Sequence, residues 1–299
     1  MAFAKLSAAL LACDNPRPPA MPAPEPAHPR LALSSAAPET HKLLAHFFKA
    51  LKLHVFQREY DRVARQCAAD GQDYSGFLLR LAELELTERN RLLIERRIRE
   101  ANFPARKRLD GFDFAAMPAL DSSAILELAR CDYIARRENV IAIGGHGTGK
   151  THIAVALGMA ACEKGLSVSF STAASLVRAL VEAQNERRLS RLQHRLATCQ
   201  LLIIDELGYV PLSRSGGELL FEVFSQRCER GATMITSNLP VDEWTGVFGC
   251  ERLTGALLDR LTHCVHLLDM HGESYRARHG KGPRPAANEG DQPAGLHLV

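Results

Sequence analysis

Between residues 139 and 269 the chain carries five short apolar runs, "NVIAIG", "SVSFST", "LLIID", "ATMITS" and "CVHLLD". They show little polar alternation, as strands do when helices cover both faces of a parallel sheet. The gaps between them are long enough for the crossover helices that parallel neighbours require. Before them stands "SSAILELARCDYIARRE", with apolar residues at helical spacing. Residues 111–280 are therefore predicted to form an α/β core. Residues 41–110 follow another rhythm: "HKLLAHFFKALKL", "FQREYDRVARQCAA" and "YSGFLLRLAELELTERNRLLIERRIREA" repeat apolar residues every three or four positions. That spacing predicts a small all-helical domain, with "ADGQDYSG" separating its second and third helices.

The two ends fit neither pattern. Residues 1–40 contain "NPRPPAMPAPEPAHPR", too rich in proline and alanine to build a packed core, and are expected to be a disordered extension. Near the start, "LSAALLA" after Lys5 resembles a short signal-peptide core; an upstream extension with Met21 as an alternative start is an equally plain reading. Residues 281–299 are expected to be a disordered tail.

Composition narrows this only slightly. The 299 residues are 46% hydrophobic and 24% charged, ordinary values for a soluble globular protein. A net charge of +3 does not by itself imply a nucleic-acid partner. The 8 cysteines are scattered without a C-x-x-C pair, which argues against a structural zinc or disulfide scaffold and suits a reducing cytoplasm. His263, Cys264 and His266 have no second ligand cluster and read as strand and core residues. No apolar run approaches the roughly 20 residues that span a bilayer, so no membrane partner is expected.

Chemistry enters at "GGHGTGKTH", between the first apolar run and the helix-like "IAVALGMAA". The stretch from Gly144, Gly145, His146, Gly147 and Thr148 to Gly149, Lys150 and Thr151, with His152 following, fits the P-loop pattern G-x-x-x-x-G-K-[ST]. Glycines let successive backbone N–H groups converge on an anion, and the following helix adds its free N-terminal donors. Lys150 is expected on the β- and γ-phosphates of ATP, and the Thr151 hydroxyl on Mg²⁺. The competing reading is a glycine-rich turn that matches by chance; a strand before it and a helix after it are the context the motif requires.

"LLIIDE" supplies a second element: a buried strand ends in Asp205 and Glu206, at the edge where ligands of open α/β sheets bind. Asp205 is expected to hold Mg²⁺ opposite Thr151, and Glu206 to activate the water that attacks the γ-phosphate. Paired acids separate this pattern from GTPases, and no N-K-x-D element is present. "ATMITSN" adds Asn238, at the end of another apolar run. It serves either as an ordinary strand-to-turn residue before Pro240 or as a sensor holding the attacking water.

Charge is concentrated in two places. Arg89, Arg91, Arg96, Arg97, Arg99, Arg106, Lys107 and Arg108 face only Glu95 and Glu100 within their own stretch. Arg187, Arg188 and Arg191 cluster with His194 and Arg195 between the second and third strands. Each cluster reads either as a solvated helix face or as a surface for DNA phosphates. No aromatic residues interleave the first, which favours duplex over single strands.

By these motifs the chain resembles the IstB-like helper ATPases of insertion-sequence transposition, which are similar to the DnaC helicase loaders and the DnaA initiator of the AAA+ class. The resemblance runs from about His41 to Lys281. It is most specific in "LARCDYIARRENVIAIGGHGTGKTHIAVALG", "LLIIDELGYVPLS", "LLFEVFSQRCERGATMITSNLPVDEW" and "LTGALLDRLTHCVHLLDMHGESYR". It implies a P-loop NTPase fold of the AAA+ type, a parallel sheet with flanking helices, preceded by the helical domain and without an AAA+ lid. It also implies an oligomer joined through its ATP sites, double-stranded DNA and a transposase as partners, and ATP hydrolysis with Mg²⁺. Family roles then fall on Gly144–Thr151, Asp205, Glu206 and Asn238, and an arginine finger on Arg260 in "LLDRLTHCVHL". For Arg260 a salt bridge to Asp259 or Glu251 is the plainer role; Arg252 and Arg276 are weaker candidates. His146 departs from the small or polar residues usual at its position. Two other functions compete with the transposition helper: a helicase loader, and a small-molecule P-loop kinase, against which the Asp205–Glu206 pair argues.

Overall fold

The computed structural model describes residues 37–118 and 120–275. Most of the two expected disordered ends, and Arg276, lie outside them. The chain divides into two compact units between Phe77 and Leu78, a point inside the third helix of the predicted helical domain.

In the first unit, α1 (Ala37–Ala50) and α2 (His54–Ala69) form a helical hairpin. Phe48 of α1 packs on Phe56 and Tyr60 of α2, with ring centroids 5.6 and 5.7 Å apart. Helix α3 (Tyr74–Ala101) begins here, and most of its length belongs to the second unit.

The second unit is a five-stranded, all-parallel sheet in the order β2-β3-β4-β1-β5. The strands are β1 (Asn139–Ile143), β2 (Val168–Thr172), β3 (Leu201–Leu207), β4 (Ala232–Ser237) and β5 (Val265–Asp269), the five runs read from the sequence. Their continuous hydrophobicity has a simple cause. Val140, Leu201, Ile203, Met234 and Leu268 point into one core layer, while Ile141, Ile143, Leu202, Ile204 and Ile235 point into the other. Period-two alternation therefore sends every residue of a central strand into a core. The first layer is closed by α6 (Lys150–Glu163) and by α4 (Ser122–Leu128) and α5 (Asp132–Arg136). The second is closed by α7 (Ala173–Asn185), α8 (Leu189–Thr198), α9 (Arg214–Arg227), α10 (Trp244–Phe248) and α11 (Glu251–Thr262).

The segment predicted as one helix over "SSAILELARCDYIARRE" is broken in two. The Asp121 side chain caps α4 by accepting from the N–H groups of Ser123 and Ala124. The turn at Ala129–Cys131 ends α4, and Cys131 takes a left-handed conformation (φ 60°) before α5 restarts the chain. One straight helix cannot bury Ile125 and Leu128 together with Tyr133 and Ile134 in the same layer; the kink does.

The second layer contains a buried cation. Arg227 is 1% exposed, and its guanidinium donates to the carbonyls of Leu196, Cys199 and Ala232 and to the Thr233 hydroxyl. These bonds tie α8 and α9 to the start of β4 without a carboxylate. Burial holds the Arg227 pKa below its ordinary value. No helix among the described residues is long and apolar enough to cross a membrane.

Candidate nucleotide site

The carboxyl ends of β1, β3 and β4 converge on one cleft of about 490 Å³. The P-loop leaves β1 at Gly144 and enters α6 at Lys150, as predicted. Its hinge at Gly149 has φ 94°, a left-handed conformation that favours glycine. A Cβ there would lie 2.6 Å from the Phe112 ring, so packing excludes a larger residue as well. Lys150 reaches back along the loop and donates to the carbonyls of Gly144 and Gly145, at 2.7 and 2.6 Å. The ammonium is thus held over the loop, where an incoming phosphate would compete for it.

Thr151, the first residue beyond Lys150, donates to both oxygens of Asp205 at 3.0 Å. Asp205 is 3% exposed at the end of β3. Its Oδ1 also accepts from the hydroxyl of Thr236 on β4. A hydroxyl and a carboxylate in contact form a pair of hard oxygen donors that fits Mg²⁺, an ion usually held by few protein oxygens and several waters. No group of three or more potential metal-ligating residues occurs among the described residues.

Glu206 owes its position to an irregularity. The pairing of β3 with β4 runs Ile203↔Met234 and Ile204↔Ile235, then resumes at Leu207↔Ser237. Three residues on β3 thus oppose two on β4, which is a β-bulge. Glu206 sits in it with a left-handed backbone (φ 60°), and its N–H donates to the Thr236 hydroxyl at 3.0 Å. Its carboxylate is turned out of the sheet into the cleft, where it lines the wall with Asn238 and Tyr209. Thr236 therefore holds both acids: it donates to Asp205 and accepts from Glu206.

Asn238 follows β4 directly. The turn that carries it is fixed by Ser237, whose hydroxyl donates to the Leu239 carbonyl and accepts from the Leu239 N–H. The indole N–H of Trp244, fully buried, donates to the same hydroxyl at 3.3 Å. The segment before α4 lines the cleft with the apolar residues Pro104, Ala105, Phe112, Ala116 and Met117, together with Lys107 and Asp113. His152 stands edge-on to Phe112 and is hydrogen-bonded to the Arg108 carbonyl at 2.9 Å. His146 is exposed and packs edge-on to Tyr209, ring centroids 6.0 Å apart.

The structure thus gathers Gly144–His152, Asp205, Glu206 and Asn238 at one place. Thr236, Phe112, Met117, Tyr209 and Tyr275 also belong to the cleft, and sequence reasoning did not single them out. Of these only Thr236 carried a usable signal, as a hydroxyl residue two positions before Asn238 at the carboxyl end of its run.

Arg260 lies elsewhere in this chain. It donates to the Ala256 carbonyl at 2.9 Å and stacks over the Phe221 ring at 5.0 Å. Among the described residues it has no ion pair, so the expected alternative of a bridge to Asp259 or Glu251 does not form.

The basic stretch is more neutralised than its composition suggests. Arg89 pairs with Glu85, Arg91 with Glu88 and Glu95, and Arg96 and Arg97 with Glu100. Arg97 also donates to the Gly165 carbonyl, and Arg108 pairs with Glu163 and Asp110. Arg99, Arg106 and Lys107 make no ion pair among the described residues. In the second cluster Arg188 pairs with Glu186, while Arg187, Arg191 and Arg195 have no carboxylate partner among the described residues.

Comparison with known proteins agrees with this geometry. The family model described as IstB-like ATP binding protein matches residues 46–282. The insertion-sequence IS5376 protein of Geobacillus stearothermophilus, named for ATP binding, is 37% identical over 228 residues, covering 76% of this chain and 91% of that one. The corresponding IS21 protein of Pseudomonas aeruginosa is 36% identical, covering 76% and 86%. Among solved structures, AMPPCP-bound DnaA from Aquifex aeolicus aligns with a TM-score of 0.49 and 20% identity over 58% of this chain and 53% of that one. The DnaC helicase loader aligns with a TM-score of 0.43 and 21% identity over 49% and 86%. Similarity at that level carries no statement about activity. The sequence matches show the family: with a P-loop, a parallel sheet and paired acids at the end of one strand, this chain belongs to the IstB-like ATP-binding proteins of insertion sequences.

Proposed function

We propose that the protein is an ATP-hydrolysing, DNA-binding helper of transposition, which assembles on duplex DNA with ATP bound and recruits or stimulates a transposase. The observation that carries the reading is that Lys150, Thr151, Glu206 and Asn238 line one cleft, with Asp205 hydrogen-bonded to Thr151. In this reading the base of ATP lies against Phe112 and Met117, and Lys150 leaves the Gly144 and Gly145 carbonyls for the β- and γ-phosphates. Mg²⁺, held by Thr151 and Asp205, neutralises phosphate charge when bound. Asn238 orients a water, and Glu206 takes its proton as the water attacks the γ-phosphorus, giving ADP and phosphate.

Arg260 completes the site of a neighbouring copy, which makes hydrolysis depend on assembly. Its lack of a carboxylate partner among the described residues supports that role. DNA phosphates fall to Arg99, Arg106 and Lys107 and to Arg187 and Arg191, which make no ion pair among the described residues. Arg89, Arg91, Arg96, Arg97, Arg108 and Arg188 contribute less, although the exposed pairs of Arg91 with Glu95 and of Arg188 with Glu186 are weak enough to open. The protein acts in the cytoplasm, where the DNA and ATP are.

The test is duplex-DNA binding and particle size, measured with and without ATP, for the wild type, Lys150→Ala and Glu206→Gln. The expected pattern is a large complex with ATP for the wild type, none for Lys150→Ala, and a persistent one for Glu206→Gln. Binding that ignores nucleotide overturns the reading. A preference for single strands together with capture of a replicative helicase would make the protein a helicase loader instead.

A further inference from the structure

The segment that follows β5, Met270–Tyr275, does not leave the sheet for solvent. It crosses the P-loop. The Met270 N–H donates to the Ile143 carbonyl at 2.7 Å, which extends the β1–β5 pairing up to the loop's first residue. A Cβ on Gly144 would lie 2.2 Å from the Met270 carbonyl oxygen. One turn further on, the Tyr275 N–H donates to the Gly147 carbonyl at 3.1 Å. Gly147 has φ 77°, and a Cβ there would lie 2.2 Å from the Ser274 hydroxyl. The segment also meets the apolar residues that line the cleft, since a Cβ on Gly272 would lie 3.2 Å from the Met117 sulfur.

In a planar trans peptide the C=O and the following N–H point in opposite directions. Drawing the Gly147 carbonyl toward Tyr275 therefore turns the Thr148 N–H the other way. P-loops bind anions through such N–H groups, so fixing the peptide before the anion arrives removes an ordering cost from binding. The Tyr275 ring, 41% exposed, lines the same cleft.

We infer that Met270–Tyr275 is a nucleotide-positioning strap, in which the Tyr275 main-chain N–H presets the P-loop through Gly147 and the Tyr275 ring is covered by the bound nucleotide. Tyr275 is a positioning residue that acts through the loop. The inference rests on the nucleotide site proposed above and extends it to the segment after the last strand.

The two contributions separate by substitution. Tyr275→Pro removes the N–H and the ring, Tyr275→Ala removes the ring alone, and Tyr275→Phe keeps both. Affinity for a fluorescent ADP analogue is measured for each full-length variant, with Lys150→Ala as the control for the site itself and thermal melting as the control for folding. We expect about a tenfold loss for Tyr275→Pro, the scale of one hydrogen bond. About a threefold loss is expected for Tyr275→Ala and none for Tyr275→Phe. Hydrogen exchange supplies a readout that does not need the proline variant to fold: amides of residues 270–275 should slow when ADP binds the wild type and stay unchanged in Lys150→Ala. Equal affinity of Tyr275→Pro and Tyr275→Ala, or exchange in the strap that ADP leaves unaltered, overturns the inference. Failure of the wild type to bind the analogue at all would instead overturn the nucleotide site.

Discussion

The hydroxyl of Thr236 is the most informative single atom to remove, because it holds Asp205 and Glu206 at once. Thr236→Val keeps nearly the same shape and deletes one donor and one acceptor at a residue 1% exposed. The bond to the carboxylate is charge-assisted, worth about 1.5–3 kcal/mol, and the N–H of Glu206 loses a partner at a further cost of about 1 kcal/mol. A total near 2.5–4 kcal/mol corresponds to a fall in Tm of roughly 5–15 °C for a unit of this size. The effect on turnover should be larger in proportion. With its N–H released, the left-handed backbone of Glu206 should relax, and a displacement of about 1 Å in a catalytic group costs on the order of a hundredfold in rate. Binding of ATP, assigned above to Lys150 and the loop amides, should change less than about threefold. The assays are ATP turnover per folded molecule, nucleotide affinity and thermal melting, with Thr236→Ser as the conservative partner that restores the hydroxyl. If Thr236→Val hydrolyses ATP at the wild-type rate, Glu206 is not positioned through Thr236 and the proposed role of the bulge fails.

Other outcomes follow from separate features. Gly149→Ala combines a left-handed φ of 94° with a clash against Phe112, so nucleotide affinity should drop at least tenfold, and Phe112→Ala should not restore it because the backbone strain remains. Arg227→Met leaves three buried carbonyls without their donor and should lower stability by about 3 kcal/mol or more, read by denaturant titration. Burial pushes the Cys162 thiol up to about 12, so in the native protein at pH 8 an alkylating reagent followed by mass mapping should label the exposed Cys250 and Cys264 and leave Cys162 unmodified. The Arg136 hydrogen bond, then that of His266, holds the Glu138 carboxyl below its ordinary value. A depressed carboxylate stabilises the fold above its unfolded pKa and loses that contribution as pH falls through the folded one. Glu138→Gln should therefore melt lower than wild type at neutral pH, and the gap should close below about pH 4.

The sheet was legible in the sequence because each strand is buried on both faces and so reads as an uninterrupted apolar run. The P-loop was legible because its chemistry requires glycine, lysine and threonine at fixed steps. Asp205 and Glu206 were legible as a pair, but not the reason both can serve one cleft, since the bulge depends on how many residues β4 offers opposite them. The kink at Cys131 escaped the helical pattern because burial of Tyr133, rather than any local signal, sets it. The ion pairing of the basic stretch was within reach: Glu85 and Glu88 stand three or four residues before Arg89 and Arg91, the spacing at which helical side chains meet. Phe112, Met117 and Tyr275 were not within reach, because they come to the cleft from segments with no repeating pattern of their own.

The bulge on β3 also sets a rule of counting. In a regular strand consecutive side chains point to opposite faces, so two adjacent acids cannot both serve one cleft. The extra residue between Ile204 and Leu207 is what lifts that restriction. Deleting either acid would restore an even ladder and leave a single carboxylate at the strand end, while inserting a residue would carry Leu207 out of its pairing with Ser237. For this strand, then, length is as strictly constrained as composition: apolar residues upstream can be exchanged for one another, but the number of residues from Leu201 to Leu207 cannot change by one without dismantling the pair.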